Sequence, residues 1–385
     1  MAKTFIILGS GSTAYGGFYI EKSGKKFIPP MDQNFFETPI VKLIYNKSDY
    51  PALYFFQNLQ TINSLEKTWS DIDICSKLTN GNNEQCQKVI SMKHDYEKLK
   101  KLIQKKESKD ENFKHNLGCQ LIWVKEDGCL GPLADWEVKE IILKLFKDLR
   151  PKKESSLLKL VEKISLNSEL SGIATFNYDL SLENIWNTEK IKKKLYYYDP
   201  ESSGLVNGIP FYKLHGSINW KSEFFSGTPE LKKWVHEIPR DITHQSIELK
   251  YEKGINIGQD HQPIKVIEHT IIPPVSFKQN IALDLQTDPR SLLFKRIWNE
   301  MWEELANVEI LIFIGLSFPE IDHHARALFS SAHRRKPFKK VIINTGSDKS
   351  VERYMSVFDK NVVIPFNQGI DNFVMRQDEL VILLK

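Results

Sequence analysis

The sequence predicts an α/β fold in which a parallel sheet is covered by helices on both faces and interrupted by a large helical insertion. Three observations carry this. A wholly apolar run after a single polar residue, Thr4-Phe5-Ile6-Ile7-Leu8, ends in Gly9-Ser10-Gly11, as a buried parallel strand does when it opens into a turn. From residue 291 to 365, amphipathic stretches alternate with apolar β-rich ones, and such alternation implies parallel strands with helices packed on both sides, the Rossmann-like arrangement. Between these regions, residues 51–170 are helical and charged, with few strand signals.

The elements follow in order. Residues 4–8 form the first strand and residues 9–13 the turn it opens into, and a loop holding Pro29-Pro30 comes next. In the middle block the clearest helical stretches are 53–69, 84–106 and 136–149. Polar segments at 79–83 and 107–111 separate them, and Pro132 suits a helix start. Strand text resumes at Gly172-Ile173-Ala174-Thr175, followed by a helix running through Trp186, and again at Phe211-Tyr212-Lys213-Leu214. Residues 218–265 are polar and irregular and receive no assignment. A helix is expected over 291–307 and the most apolar strand over 308–314. A helix at 322–333, a strand at 340–344, a helix at 351–358 and a last strand at 362–365 follow. The implied organisation is a Rossmann-type sheet domain made of residues 1–50 and 171–385, with a helical insertion at 51–170.

Composition narrows the class. The chain has 385 residues, 41% hydrophobic, 26% charged and 11% aromatic, which is globular and rules out wholesale disorder or collagen-like structure. That length corresponds to roughly two or three domains, or to one domain with a large insertion. The net charge of +4, from 53 Lys and Arg against 49 Asp and Glu, gives no case for direct nucleic-acid binding. The short basic runs at 98–106, 192–194 and 334–336 read as solvated faces, with a partner surface as the alternative. The longest apolar run, residues 310–316, falls far short of the ~20 residues a membrane helix needs. Met1 leads directly into the first strand without a signal-peptide layout, so a cytoplasmic protein is expected. Cys75, Cys86, Cys119 and Cys129 lack CxxC spacing and read as buried thiols, so neither a disulfide nor a metal site is expected.

Three segments at strand ends are placed to carry chemistry. Glycines at 9 and 11 let backbone approach a phosphate, although the same residues also serve a plain tight turn. With Ala14 the run satisfies G-x-G-x-x-A. A dehydrogenase would then need a second central strand ending in an acid about 20 residues on. The text there runs through Pro29-Pro30 to Asp32, and adjacent prolines do not suit such a strand. Thr175-Phe176-Asn177-Tyr178-Asp179 and Leu214-His215-Gly216-Ser217 each follow a strand at its carboxyl end, where open α/β sheets bind ligands. Helix capping by Asn177 or Asp179 and a structural role for His215 are the plain alternatives.

Together these segments resemble the SIR2 family, the NAD-consuming sirtuin fold. The family's G-A-G-A-S is similar to Gly9-Ser10-Gly11-Ser12-Thr13, its T-Q-N-x-D to Thr175-Phe176-Asn177-Tyr178-Asp179, its H-G to His215-Gly216, and its closing G-x-S to Gly315-Leu316-Ser317. The four motifs occur in the family's order, and the resemblance spans roughly 1–45 and 170–366. It departs from the deacylase members at Phe176, which stands where they have Gln, and beyond Cys129, where no cysteine supplies their zinc ribbon. The layout is closer to the SIR2-like effectors of bacterial antiphage defence, which residues 213–220, Ile271-Ile272-Pro273-Pro274 and residues 315–322 also resemble.

The resemblance implies an NAD+ hydrolase that releases nicotinamide and ADP-ribose without zinc. Asn177 would orient water or ribose by hydrogen bonds and does not titrate. His215 would be the general base, since imidazole titrates near neutrality. Gly9, Ser10, Gly11, Ser12, Thr13, Thr175, Gly216, Gly315 and Ser317 would hold the dinucleotide, Asp179 the nicotinamide-side ribose or the loop, and Asp32 would lie in a cofactor loop spanning 29–36. Two rivals follow from the same resemblance: a non-catalytic NAD or ADP-ribose sensor in an assembly, and a zinc-free deacylase or ADP-ribosyltransferase. Because an ungated NAD hydrolase would poison its own cell, homo-oligomerisation or a HerA-like ATPase partner is expected to control it. Tyr54, Phe55 and the 98–106 stretch are the expected contact surface, unless the aromatics fill a local core.

Other candidates carry less. His323-His324 are adjacent, so on a helix they point about 100° apart. Glu268-His269 lacks an HExxH frame, and Gly24-Lys25 lacks Walker spacing. Trp298 and Trp302, at i and i+4, read as core.

Overall fold

The computed structural model describes residues 1–50, 53–54, 57, 131–186, 188–200, 207–226, 232–239, 264–271, 289–318, 323–367 and 369–385. Most of the two helices expected over 53–69 and 84–106, Phe55, the 98–106 basic stretch, all four cysteines and residues 319–322 lie outside the described residues.

Seven parallel strands form the centre: β1 (Lys3–Leu8), β5 (Glu169–Thr175), β6 (Leu195–Tyr197), β7 (Ile209–Lys213), β11 (Ile310–Ile314), β12 (Lys340–Thr345) and β13 (Val363–Asn367), in spatial order β13-β12-β11-β1-β5-β7-β6. β1 lies between β11, with Phe5 opposite Leu311, and β5, with Leu8 opposite Thr175. All five residues of β11 and five of the six in β1 are buried. A strand covered on both faces needs apolar residues at successive positions rather than alternate ones, which is how the sequence at 4–8 and 310–314 reads.

Helices α1 (Ser10–Ala14), α2 (Pro39–Ile44), α3 (Gly131–Phe146), α4 (Ser156–Asn167), α5 (Ser181–Ile185), α6 (Thr188–Ile191), α7 (Pro289–Leu305), α8 (His323–Arg335), α9 (Asp348–Met355), α10 (Gly369–Met375) and α11 (Gln377–Leu384) accompany the sheet. The expected α/β architecture, a parallel sheet flanked by helices, is present. Pro132 falls at the second residue of α3, where its missing N–H costs nothing. The amphipathic α4 buries Leu157, Leu160, Val161 and Ile164 and packs beside α10 and α11. Its cap is Ser155, whose Oγ accepts from the Leu158 amide and donates to the Gly16 carbonyl.

Some elements differ from expectation. The segment before Pro29 is a hairpin of β2 (Phe18–Lys22) and β3 (Lys25–Phe27), turned by Ser23 and Gly24, both at positive φ. Two central residues at positive φ match the twist of paired strands. β4 (Leu149–Pro151) adds to the other side of β2, so Leu149 is a strand residue and not the end of a helix. Residues 218–265, polar and irregular in sequence, contain most of β8 (Gly216–Ser226), all of β9 (Lys232–Glu237) and the start of β10 (Ile264–Ile271), which pair in the order β10-β8-β9. Two helices, α10 and α11, continue past the last expected strand, with Ile370, Phe373, Leu380 and Leu384 in the core. Among the described residues no helix is long and apolar enough to cross a membrane.

Candidate functional site at the centre of the sheet

From β1 the chain builds one half of the sheet through β5, β6 and β7, and later the other half through β11, β12 and β13. The order therefore reverses between β1 and β11. Loops separate at such a point and leave a crevice outside the carboxyl ends of the strands. The 9–13 turn and the 315–318 turn face each other there. Gly9 donates its amide to the Ile314 carbonyl at 3.0 Å, and Gly11 donates to the Gly315 carbonyl at 2.9 Å. A Cβ on Gly315, whose φ is +64, would lie 2.1 Å from the Ser12 nitrogen, and one on Gly9 would lie 2.6 Å from the Gly315 oxygen. Both glycines are required because backbone meets backbone with no room for a side chain. Ser12 folds back on the turn, its amide and hydroxyl both donating to the Gly9 carbonyl. Ser10 is the exposed residue of the turn.

The exit of β5 grips the same turn through side chains. Thr175 donates its hydroxyl to the Leu8 carbonyl and accepts the Asn177 amide at 3.0 Å. The Asn177 side-chain nitrogen lies 3.0 Å from the Gly9 carbonyl, 3.0 Å from Thr13 Oγ1 and 3.3 Å from Ser12 Oγ, so its two hydrogens are shared among three acceptors. Thr13 donates to Asp179 Oδ2 at 2.8 Å, and Asp179 Oδ1 accepts the Ser181 amide at 2.8 Å. Asp179 thus ties the 9–13 turn to the start of α5, whose N-cap is Leu180 and carries no side-chain cap.

His215 stands at the exit of β7, one strand further out, where the Leu214 amide donates to the Thr175 carbonyl. Its ring meets the edge of Phe176 at 5.1 Å and lies 6.0 Å from Tyr178, and only 4% of the residue is exposed. Trp298 on α7 packs on Phe176 and donates its indole N–H to the Leu214 carbonyl at 3.0 Å. Gly216 has φ +78 beneath the Thr270 carbonyl, a conformation and clearance that only glycine fits.

Behind these residues lies a buried charge pair that sequence reasoning missed. Lys213 and Glu183 approach to 3.2 Å with side-chain exposures of 0% and 1%. Lys213 also donates to the Asp179 carbonyl. Glu183 Oε1 accepts from Tyr197 at 2.7 Å, and the Tyr197 oxygen accepts from Asn219 at 3.1 Å. Burial holds the Glu183 carboxyl above the usual carboxylate range, against the pull of the Lys213 ammonium and the Tyr197 hydroxyl. A lysine inside the otherwise apolar Phe-Tyr-Lys-Leu strand was the available signal, because an interior strand admits a charge only when it is paired.

On the far side of the crevice the structure brings Gly315 to the turn, but Ser317 is exposed, with its carbonyl taken by Arg353 of α9 at 3.3 Å. Tyr354 donates to the Leu316 carbonyl at 2.9 Å and stacks on Phe318, which adopts φ +52. Asp32 opens a short 3-10 helix, Asp32–Glu37, and its side chain lies outside the described residues. Trp298 is core as expected, whereas Trp302 is only half-buried and donates to Ser331. His323 is exposed at the start of α8, and the His324 ring lies tilted against Trp298, centroids 4.8 Å apart. Among the described residues no cluster of three metal-ligating side chains occurs.

No family model matches the chain, and no curated protein matches it in sequence. Among solved structures it is similar to Sir2Tm bound to a propionylated peptide, at 11% identity and a TM-score of 0.38 over 99% of this chain and 94% of that one. It is also similar to a structure described as the structural basis of sirtuin substrate affinity, at 13% identity and a TM-score of 0.38 over 98% of this chain and 93% of that one. A complex of Sir2 with a p53 peptide and NAD+ is similar at 11% identity and a TM-score of 0.36, over 68% of this chain and 82% of that one.

Proposed function

We propose that the chain is an NAD+ hydrolase that cleaves the nicotinamide–ribose bond to give nicotinamide and ADP-ribose. The observation that carries this is the meeting, at the point where strand order reverses, of a glycine turn with the side chains of Asn177 and Asp179, beside the exit of β7 that holds His215. Water attacks C1′ of the ribose and the bond to the pyridinium nitrogen breaks, its electron pair leaving with neutral nicotinamide. His215 takes the proton that the water loses. Asn177 positions the ribose side of the site through the turn it grips, and the residues at 9–13 and 315–317 receive the pyrophosphate and adenosine half. No metal enters the scheme.

A second reading, a subunit that binds NAD or ADP-ribose without cleaving it, is favoured by the close enclosure of His215 between Phe176 and Tyr178. Incubation of the purified chain with NAD+ alone, then with NAD+ and an acylated peptide, separates the readings. The hydrolase releases nicotinamide without peptide, a deacylase or transferase requires the acceptor, and a sensor binds without release. The proposed biological setting is NAD depletion in antiphage defence, supported by the motif resemblance. Because unrestrained hydrolysis is toxic, activity is gated by self-association or by a HerA-like ATPase partner. Light scattering alongside turnover at several protein concentrations tests the gating. A fully active monomer that needs no partner would refute it.

A further inference from the structure

The buried Lys213–Glu183 pair is an expensive choice if it serves stability alone. Charges taken from water are repaid by mutual attraction only when the geometry and remaining hydrogen bonds are good, and apolar replacements of equal volume often fold as well or better. This pair is connected to the candidate site. Lys213 donates to the Asp179 carbonyl, the Asp179 carboxylate accepts from Thr13, Thr13 accepts from Asn177, and Asn177 donates to the Gly9 carbonyl. Hydrogen bonds joined through the covalent frame of Asp179 therefore run from an ammonium with no solvent exposure to the glycine turn at the switch point. On its other side Glu183, through Tyr197 and Asn219, joins β6 and β8 to the same pair. Four separate stretches of chain converge on two charges.

We propose that Lys213 and Glu183 are positioning residues: they fix the 177–181 exit of β5 in the conformation in which Asn177 and Asp179 hold the 9–13 turn closed against Gly315. In this role Lys213 matters as a hydrogen-bond donor to Asp179, and Glu183 as the acceptor that keeps the ammonium aimed there. The link to NAD turnover rests on the function proposed above, but the effect on the turn does not.

The test compares wild type, the double variant Lys213→Met/Glu183→Leu, and Glu183→Gln, which keeps an acceptor opposite Lys213. Amide hydrogen exchange is followed at residues 9–15 and at β12, together with thermal unfolding and the kcat and KM of NAD+ cleavage. The double variant is expected to unfold at a temperature close to wild type and to exchange normally in β12. Its 9–15 amides should exchange about tenfold faster, the equivalent of losing one net hydrogen bond, and its KM for NAD+ should rise by a similar factor. Glu183→Gln should restore slow exchange at 9–15. Should the double variant fail to fold, Glu183→Gln decides alone, since a pair needed only for its charge would lose stability there with the turn. Unchanged exchange at 9–15 in a folded double variant overturns the proposal, as does a uniform rise over the whole sheet. If the wild type cleaves no NAD+, the hydrolase reading fails while the exchange data still judge the positioning role.

Discussion

The turn after β1 and the turn after β11 touch across the centre of the sheet, and each is fastened on its outer side by a different kind of force. Toward β5, the 9–13 turn is held by buried polar side chains: Asn177, Thr13, Asp179 and Ser181 exchange hydrogen bonds of about one geometry, 2.8 to 3.1 Å. Toward β12, the 315–318 turn is held mainly by shape, with its backbone bonded to Asn344, Arg353 and Tyr354. Phe318 is packed among Phe313, Phe329 and Tyr354, and on the inner side Gly315 fits against Gly11 and Ser12 where a methyl group cannot. The first kind of fastening is directional and fails when one polar atom is removed. The second tolerates loss of a polar atom but not an added carbon.

The largest effect should come from adding one carbon to the turn held by shape. Gly315→Ala places a Cβ 2.1 Å from the Ser12 nitrogen at φ +64, and the left-handed conformation alone costs an L-residue about 1–2 kcal/mol. The turns are expected to part, with a clear fall in melting temperature and loss of NAD+ turnover; a variant with wild-type melting and turnover would break the comparison. On the polar side, Thr13→Val keeps the shape and removes the donor to Asp179, leaving a buried carboxylate oxygen short of a partner. Denaturant unfolding should show a loss of about 1–3 kcal/mol, and Thr13→Ser should recover most of it. A smaller effect is expected for Tyr354→Phe, which loses the bond to the Leu316 carbonyl but keeps the ring stack. A change of about 1 kcal/mol is predicted, and a larger one would show that the 315–318 turn also depends strongly on polar contacts. The smallest effect is for zinc chelation, predicted to change neither melting temperature nor turnover. Stoichiometric zinc by elemental analysis of the purified chain would contradict it.

The central sheet was legible because its signal is local. Strands buried on both faces must be apolar throughout, and residues 4–8 and 310–314 are apolar but for Thr4. The sheet of β8, β9 and β10 was not legible, since its strands mix charged residues such as Lys221, Glu223, Lys233, Glu237, Lys265 and Glu268 with apolar ones and show no apolar run like residues 4–8. The β2–β3 hairpin was missed for a narrower reason: its turn is Ser23-Gly24, not the Asn-Gly or Asp-Gly that marks such turns most strongly. The placement of the 9–13 glycines, Asn177, Asp179 and His215 directly after strands was legible, because each follows a short β-rich run. Lys213 and Glu183 could not be paired from sequence, because thirty residues separate them and only the fold brings β7 beside α5. The exposure of Ser317 and its carbonyl's bond to Arg353 likewise depend on where α9 packs.

The most direct test of the account is nicotinamide release from NAD+ by the wild type, Asn177→Ala and His215→Ala, side by side, with folding checked by circular dichroism. The wild type is predicted to release nicotinamide without any acyl peptide, and both variants to fold and release none above background. Asn177→Ala should also lower the melting temperature, since it strips the Gly9 carbonyl and Thr13 of their shared donor. Turnover at the wild-type rate in either folded variant would contradict the assignment of this crevice as the active site.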